Sequence, residues 1–524
     1  MSEKYTNRVL STAQMTYCEH KSDELGVSLK ELMDNAAAAL SAHIEAVCKE
    51  KKLSKILILT GKGNNGGDGL VAANLLAEKG FDVQIMLCCG EPTTDLARAS
   101  RERLKDDIVV YEYNNSAEMK VVITQAEALV DCIFGTGFKG EIRKNMNILF
   151  EILNLSSAYK IACDIPSGAN AQSGQASTLT FPADMTVTFH SKKIGMTISP
   201  AKEMCGKIFV EDIKIPNEVY DDMPAELSDI ITENADLPPA KLLAARPSYG
   251  HKGTFGKLVS VCGSGSYIGA AVISAHSALR TGVGIVNLCT APEVISAAAC
   301  TIPECTFSAM KCDENGFLTG ENADMILEKL SGAQCLLLGC GLGHTAETEK
   351  LVKKLVEKSP VPIVLDADGI NSLCPNIDVL LKKKSTVILT PHPAELARLC
   401  GVSTAEIMSD RLKYASEFSK KYRVIVAAKG AQTLVCSGGR VMINSAGCTA
   451  LAKGGSGDML AGIISSLTAQ SPETPANNAW LGCYIMGKTA EMLSEENSER
   501  GILATDIIKA LPKFLKKLEQ EQEQ

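Results

Sequence analysis

The chain has 524 residues, of which 45% are hydrophobic and 22% charged. That is room for about two to four domains with large cores, and it excludes a mostly disordered chain, a collagen and a disulfide-stapled mini-protein. With 53 Lys and Arg against 61 Asp and Glu, a net charge of −8 and no basic block, neither nucleic acid nor an anionic membrane is expected as a partner.

The first residues, MSEKYTNRVL, lack the apolar centre of a secretory signal. Short apolar runs then alternate with helical patterns, which predicts α/β architecture. The strands expected first are 55–60, 83–89, 127–134, 160–165, 185–190 and 207–213. Residues 218–236 carry acids and no base, and Pro238, Pro239 and Pro247 follow. A domain boundary is therefore expected within 217–248, dividing the chain into residues 1–223 and 224–524. The second part continues with strands at 257–263, 284–290, 334–340, 362–368, 386–391 and 423–428. The tail LEQEQEQ is low in complexity and is expected to be a frayed end. The 19 cysteines form no C-x-x-C pair and sit mostly in apolar runs, which points to free thiols in a reducing cytoplasm. The longest uncharged run, 258–279, is dotted with Ser, Gly and His, so no membrane span is expected.

After the strand at 55–60 comes GKGNNGGDG, then a helical segment. A glycine loop between strand and helix aims backbone N–H groups and the helix dipole at an anion. Gly61, Gly63 and Gly66 satisfy the dinucleotide expression G-x-G-x-x-G, but its acid belongs at the end of the second strand, and Asp82 precedes that strand. Asn64, Asn65 and Asp68 add polar side chains that a pyrophosphate turn does not need. Two further strands end in acids before glycine-bearing loops: Asp131 ahead of FGTGFKGE, and Asp164 in CDIPSG. Carboxyl strand ends of a parallel sheet converge on one crevice. Asn65, Asp131 and Ser167 there would offer hard oxygen ligands to a cation.

NNGGDG, D-x-x-x-GTG-x-x-G and DIPSG, in this order, resemble the NAD(P)H-hydrate epimerases across residues 8–215. ELMDNAA (31–37) and TVTFHSKKIGM (186–196), with Lys193, extend the likeness. The resemblance implies that Asn64, Asn65, Gly66, Gly67, Asp68, Gly135, Thr136, Gly137, Phe138, Lys139, Gly140 and Glu141 bind the hydrated dinucleotide. It implies a potassium ion at Asn65, Asp131 and Ser167. It makes Asp164 the substrate-binding general acid/base that lets the C6 hydroxyl leave and return on the other face of the ring.

In LAKGGSGDMLAGIISSL (451–467), Gly454, Gly455, Ser456 and Gly457 open a helix, with Asp458 in its first turn. Exposed N–H groups of this kind hold a transferring phosphoryl group, and Asp458 stands where it would accept a proton from the attacking hydroxyl. KGAQT (429–433) follows a strand, and GCGLG, VLDADGIN and TPHPAEL lie at other strand ends. GCYIMGKT (482–489) matches the P-loop expression but lies within a helical pattern, so it is rejected as a phosphate site.

HKGTFGKLVSVCGS, YIGAA, GCGLG, LDADGIN, TPHPAE, AKGAQT and GGSGD together resemble the ADP/ATP-dependent NAD(P)H-hydrate dehydratases over residues 228–515. The resemblance implies a ribokinase-like α/β domain behind a Rossmann-like three-layer domain. It brings Ala271, Gly341, Gly343, His392 and Asp458 to the hydrate, with Asp458 catalytic. It assigns Lys429, Gly430, Ala431, Gln432, Thr433 and Gly457 to ADP or ATP, accompanied by Mg. Lys453 stands where that family commonly has threonine. The whole chain resembles the bacterial bifunctional NAD(P)H-hydrate repair enzymes, with NADHX, NADPHX and ADP as small-molecule partners; a homo-oligomer is left open. The rival readings are a hydroxymethylpyrimidine- or sugar-type kinase fused to a nucleotide-binding domain, and a non-catalytic nucleotide sensor.

Overall fold

The computed structural model describes residues 8–235 and 237–522. Asp236, the last acid of the expected linker, and the final two residues lie outside them. The chain divides into two compact units, Met1–Asp229 and Ile230–Gln524, and each is α/β with a largely parallel sheet.

In the first unit β1 (Val9–Leu10) is followed by β2 (Lys55–Thr60), β3 (Asp82–Leu87), β4 (Val109–Glu112), β5 (Ala128–Cys132), β6 (Tyr159–Cys163), β7 (Met185–Phe189), β8 (Lys192–Lys193) and β9 (Lys207–Glu211). Seven of these form one sheet in the order β4-β3-β2-β5-β6-β7-β9, every pair parallel. Alternation along β2 builds the layers. Ile56 and Ile58 pack with Leu40 and Ile44 of helix Leu29–Lys51, whereas Leu57 and Leu59 pack with Phe150 and Leu153 of helix Asn147–Leu155. Both faces are covered, which is why the strands read as continuous apolar runs. The strand order reverses between β2 and β5, so the loops after these two strands diverge and leave a crevice. Asp82 is the first residue of β3, so the acid of the dinucleotide fingerprint is missing from that strand's carboxyl end.

The second unit contains β10 (Ile230–Glu233), β11 (Lys257–Val261), β12 (Ile285–Thr290), β13 (Thr306–Ala309), β14 (Cys335–Leu338), β15 (Ile363–Leu365), β16 (Val387–Leu389), β17 (Ile425–Ala428), β18 (Thr433–Ser437) and β19 (Arg440–Asn444). They form one sheet, β10-β19-β18-β17-β16-β15-β14-β11-β12-β13, and β18 is antiparallel to both neighbours. The order reverses between β11 and β14, again placing a crevice at the carboxyl ends. Helix Ser456–Gln470 is buried along most of its length and packs on helix Ile268–Arg280.

Two expectations are corrected. The acidic stretch is not all linker, because Ile230–Glu233 pairs with β19 as an edge strand. The tail is not frayed through its described part: helix Ala504–Gln522 includes it, and the Gln522 amide donates to the Leu243 carbonyl at 3.0 Å. Residues 433–444, for which no element was expected, form a hairpin turning at Gly438 and Gly439. All 19 cysteines are free thiols. Among the described residues no helix is long and apolar enough to cross a membrane.

Candidate active sites

In the first unit the carboxyl ends of β2, β5 and β6 open onto a cavity of about 960 Å³. Helix Asn64–Glu78 starts behind β2, and its first turn sets Asn64, Asn65 and Asp68 on the cavity wall. Gly66 and Gly67 do not line it. They let the turn close: a Cβ on Gly66 would lie 2.3 Å from the Gly61 carbonyl oxygen, and one on Gly67 2.8 Å from the Met33 side chain. After β5, Gly135, Thr136, Gly137, Phe138, Lys139 and Glu141 line the cavity, while Gly140, at φ +80°, is not part of its wall.

Asp164 follows β6 with φ +64° and lines the same cavity. A left-handed aspartate is uncommon, and such strain collects where a side chain must be aimed. Its Oδ1 accepts from the Lys193 ammonium and, at 3.1 Å, from the Thr188 hydroxyl. Lys193 is itself buried, and it also donates to Thr188 Oγ1 at 2.8 Å and to the Phe189 carbonyl at 3.1 Å. The carboxylate and ammonium are thus oriented before any ligand arrives.

Asp131 and Ser167 are both fully buried behind the cavity wall. Asp131 accepts from the Ser167 backbone N–H at 2.7 Å, the Ser167 hydroxyl at 2.6 Å and the Ile133 N–H at 3.1 Å. Burial nevertheless pushes the Asp131 carboxyl up to about 6, against the pull of those bonds. The Ser167 oxygen also receives the Phe134 N–H at 2.8 Å. Asn65 differs: both polar atoms of its amide are buried and have no partner. A polar group buried without a partner costs free energy, so this amide keeps its full capacity to bond a ligand.

Sequence reasoning missed Glu19. It comes from helix Thr12–Glu24 and lines the cavity. Burial, then the charge of Asp164, pushes its carboxyl up to about 7. Asp68 is raised well above the carboxylate range, by burial first and then by Asp164 and Glu19. Nothing local in a capped helix signals such a residue. Lys62, Cys88, Cys89 and Arg143 also line the wall unforeseen.

In the second unit the chemistry gathers where β14, β15 and β17 end and helix Ser456–Gln470 begins. Gly455, at φ +89°, is the N-cap, and Asp458 sits in the first turn. Cys340, Asp366 and Asp458 each bring a ligand atom within 4.8 Å of the others. The Lys429 ammonium lies 2.8 Å from Asp366 Oδ1 and 4.0 Å from Glu395 Oε2. A Cβ on Gly457 would stand 3.4 Å from that ammonium. Lys429, Gly457 and Asp458 therefore meet. Burial, then Asp366, pushes the Asp458 carboxyl up to about 6, with Lys429 opposing.

Around them, Gly430 and Ala431 are exposed and Gln432 and Thr433 buried. The Arg411 guanidinium clasps this loop, donating to the Lys429 carbonyl at 3.1 Å and to the Gln432 carbonyl. Gly341 and Gly343 both have positive φ, and the Gly343 N–H donates to Asp368 at 2.8 Å. His392 is the N-cap of helix Pro393–Cys400: its Nδ1 accepts from the Ala394 N–H at 3.1 Å, and half of its ring stays exposed. Ala271 is fully buried in helix Ile268–Arg280 beneath Gly263. The Lys453 ammonium is engaged by the backbone, donating to the carbonyls of Arg500 at 2.6 Å and Ile502 at 2.7 Å. Gly482 to Thr489 lies inside helix Pro475–Ser494, with Lys488 on Glu491 at 2.6 Å, so the P-loop expression is a helix segment. Asp366, Cys340, Glu395 and Arg411 were not foreseen in roles, although Asp366 stands inside the quoted LDADGIN.

A family described as YjeF-related protein N-terminus matches residues 29–195, and one described as NAD(P)H-hydrate dehydratase matches residues 258–513. The chain is 32% identical over 502 residues to the bifunctional NAD(P)H-hydrate repair enzyme Nnr of Moorella thermoacetica, covering 94% of this chain and 93% of that one. It is 31% identical over 495 residues to the protein of that name from Escherichia coli, covering 94% and 91%. Among solved structures, the ADP/ATP-dependent NAD(P)H-hydrate dehydratase of Bacillus subtilis, co-crystallised with ATP and Mg2+, is 29% identical with a TM-score of 0.45, over 53% of this chain and 96% of that one.

Proposed function

The chain belongs to the bifunctional NAD(P)H-hydrate repair enzymes, and on that premise we propose how its two units divide the work. The unit Met1–Asp229 interconverts the R and S forms of NADHX and NADPHX. The remainder dehydrates the S form to NAD(P)H, with ADP converted to AMP and phosphate. The observation that carries this reading is the pair of independently built sites, each with an oriented carboxyl beside a lysine at the carboxyl ends of a parallel sheet.

In the epimerase, Asn64, Asp68 and the 135–141 loop bind the hydrate, with the damaged ring towards Asp164. Asp164 passes a proton to the departing C6 hydroxyl, and the ring nitrogen lone pair stabilises the cation left behind. Water returns on the opposite face and its proton goes back to the carboxylate. Lys193 holds the carboxylate in place between the two steps. The donor set suits potassium: Asn65, Asp131 and Ser167 would hold it, and the partnerless Asn65 amide supports the fit. Bound there, the ion supplies fixed positive charge for the dinucleotide.

In the dehydratase, Asp458 takes the C6 hydroxyl proton while that oxygen attacks the terminal phosphoryl of ADP. The N–H groups at the start of helix Ser456–Gln470 steady the transferring phosphoryl, and AMP leaves. Phosphate then departs from C6, a better leaving group than hydroxide, and loss of a C5 proton restores the reduced ring. Lys429 to Thr433 and Gly457 would hold the nucleotide, and a Mg ion bound with it would supply positive charge against the phosphates. The free thiols support a cytoplasmic home.

Mixed NADHX epimers with ADP test the reading through the absorbance of reduced nicotinamide. Full recovery is expected. Recovery of the S fraction alone removes the epimerase, and a stable phosphorylated product favours the small-molecule kinase instead.

A further inference from the structure

A carboxylate with a side chain only 2% exposed must be partnered, because an unpaired buried charge is costly. Asp366 is well partnered. Its Oδ1 accepts from the Lys429 ammonium at 2.8 Å and from the Thr390 hydroxyl at 2.6 Å, and Cys340 Sγ stands 3.8 Å from Oδ2. The dehydration scheme gives Lys429 and Asp458 tasks but leaves Asp366 none. Its place is nevertheless central: a Cβ on Gly457 would lie 3.8 Å from its Oδ2, and its carboxylate falls within 4.8 Å of Asp458.

We propose that Asp366 is a positioning residue for dehydration: it pins Lys429 beside the glycine-opened helix start and supplies the negative charge against which Asp458 takes up its proton. The inference rests on reading the second unit as the dehydratase. The groups facing Asp458 are Asp366, Lys429, the Cys340 thiol and Asp368. Glu395 and His392 neighbour Lys429 and are not among the groups that shift Asp458. Two carboxylates this close oppose each other's ionisation, so Asp366 strengthens the proton affinity of Asp458 while Lys429 weakens it. Burial works against the Lys429 ammonium, and Asp366, then Glu395, more than offset it. Asp366 therefore keeps the lysine charged and Asp458 basic enough to take a proton at neutral pH.

The two charges make opposite predictions. The test is ADP-dependent dehydration of pure S hydrate by the full-length chain, followed as kcat from about pH 5 to 8. Wild type is expected to lose rate as Asp458 becomes protonated; a wild type with no ADP-dependent dehydration sinks the dehydratase reading itself. Asp366→Asn should move the acid limb down by about one pH unit, the scale of a near charge, and lower the plateau about tenfold through the released lysine. Lys429→Met should move the same limb up. Limbs that stay in place in both variants, or move in the same direction, overturn the proposal. If thermal unfolding shows that Asp366→Asn does not fold, Thr390→Val is read instead, since it loosens the carboxylate but keeps its charge. A lower plateau with an unmoved limb supports the proposal, and wild-type behaviour overturns it.

Discussion

In the first unit a lysine and an aspartate meet at neighbouring strand ends, Lys193 beyond β7 and Asp164 beyond β6. In the second, Lys429 follows β17 and Asp366 follows β15. Both lysines are largely buried, and both ammonium groups touch the carboxylate. The difference is access. The Asp164 side chain keeps 14% of its surface and lines the large cavity, whereas Asp366 keeps 2% and is covered by Thr390 and Cys340. On the proposed reading, the paired carboxylate is the reacting group in the first site, whereas in the second it stands one residue back and the proton goes to Asp458. A buried Lys–Asp pair would then mark an active centre without saying which carboxyl reacts, and exposure to the substrate space would decide that.

The sharpest way to break this comparison is a reciprocal pair of amide substitutions. Asp458→Asn should lower single-turnover NADH recovery from S hydrate about 10²–10⁴-fold, the usual worth of a general base. Calorimetric ADP affinity should change little and epimerisation should not change. Asp164→Asn should do the same to epimerisation and leave dehydration of the S form intact. Loss of both activities in either variant would mean that the sites are not independent.

Next in size is the potassium pair. Asn65→Ala and Asp131→Ala should each weaken the potassium response of epimerisation, by about 10–100-fold in ion affinity on the scale of altered metal surroundings. They should part company in thermal unfolding. Asp131→Ala strands two donors, the Ser167 and Ile133 N–H groups, at about 1–3 kcal/mol for each buried group left unpaired, and leaves the Ser167 hydroxyl only the Phe134 carbonyl at 3.3 Å. Asn65 has no protein partner to strand, so its loss should leave the melting temperature near wild type. Equal destabilisation would show that Asn65 is structural.

Smaller again is the pH effect in wild type. Burial, then Asp366, pushes the Asp458 carboxyl up to about 6 from its ordinary 3.8, and only its ionised form accepts a proton. Dehydration should therefore fall as pH drops through about 6, tenfold for each further unit. A rate that stays flat down to about pH 5 would remove Asp458 as the base.

How much of this was legible beforehand depended on distance along the chain. The twelve expected strands are all present; eleven lie inside a sheet and are apolar throughout because both faces are covered, and β9, an edge strand, was legible from the short run KIFVE. The glycine loops and acids at their ends were legible for the same local reason. The edge strands β4 and β13, half exposed, offered no such run. β10 was hidden among acids, since its partner β19 lies some 210 residues away in sequence. Glu19 reaches Asp164 across 145 residues, and Asp366 reaches Lys429 across 63. Those pairings follow from topology, which no local pattern encodes. The Gly438-Gly439 turn was a readable hairpin signal, overlooked beside the phosphate loop.

The smallest expected effect concerns where the units part. The Gln14 amide donates to the carbonyls of Leu227 at 2.7 Å and Asp229 at 2.9 Å. A fragment of residues 1–229 should therefore melt a few degrees above one of residues 1–223, on the scale of about 1 kcal/mol per hydrogen bond. Both should epimerise, and a fragment beginning at Ile230 should dehydrate. Identical melting of the two shorter fragments would put the boundary back at 223.

The grip of Lys453 on the carbonyls of Arg500 and Ile502 has a consequence for biosynthesis. Domains fold in order as the ribosome delivers them, at about 5–20 residues per second. Every residue of the first site has been synthesised by Asp229. The glycine loop after Lys453 in the second must wait for Ile502, 273 residues later (502 − 229), or roughly 15–55 s at that rate. Each nascent chain thus has the means to epimerise its substrate well before it has the means to repair it.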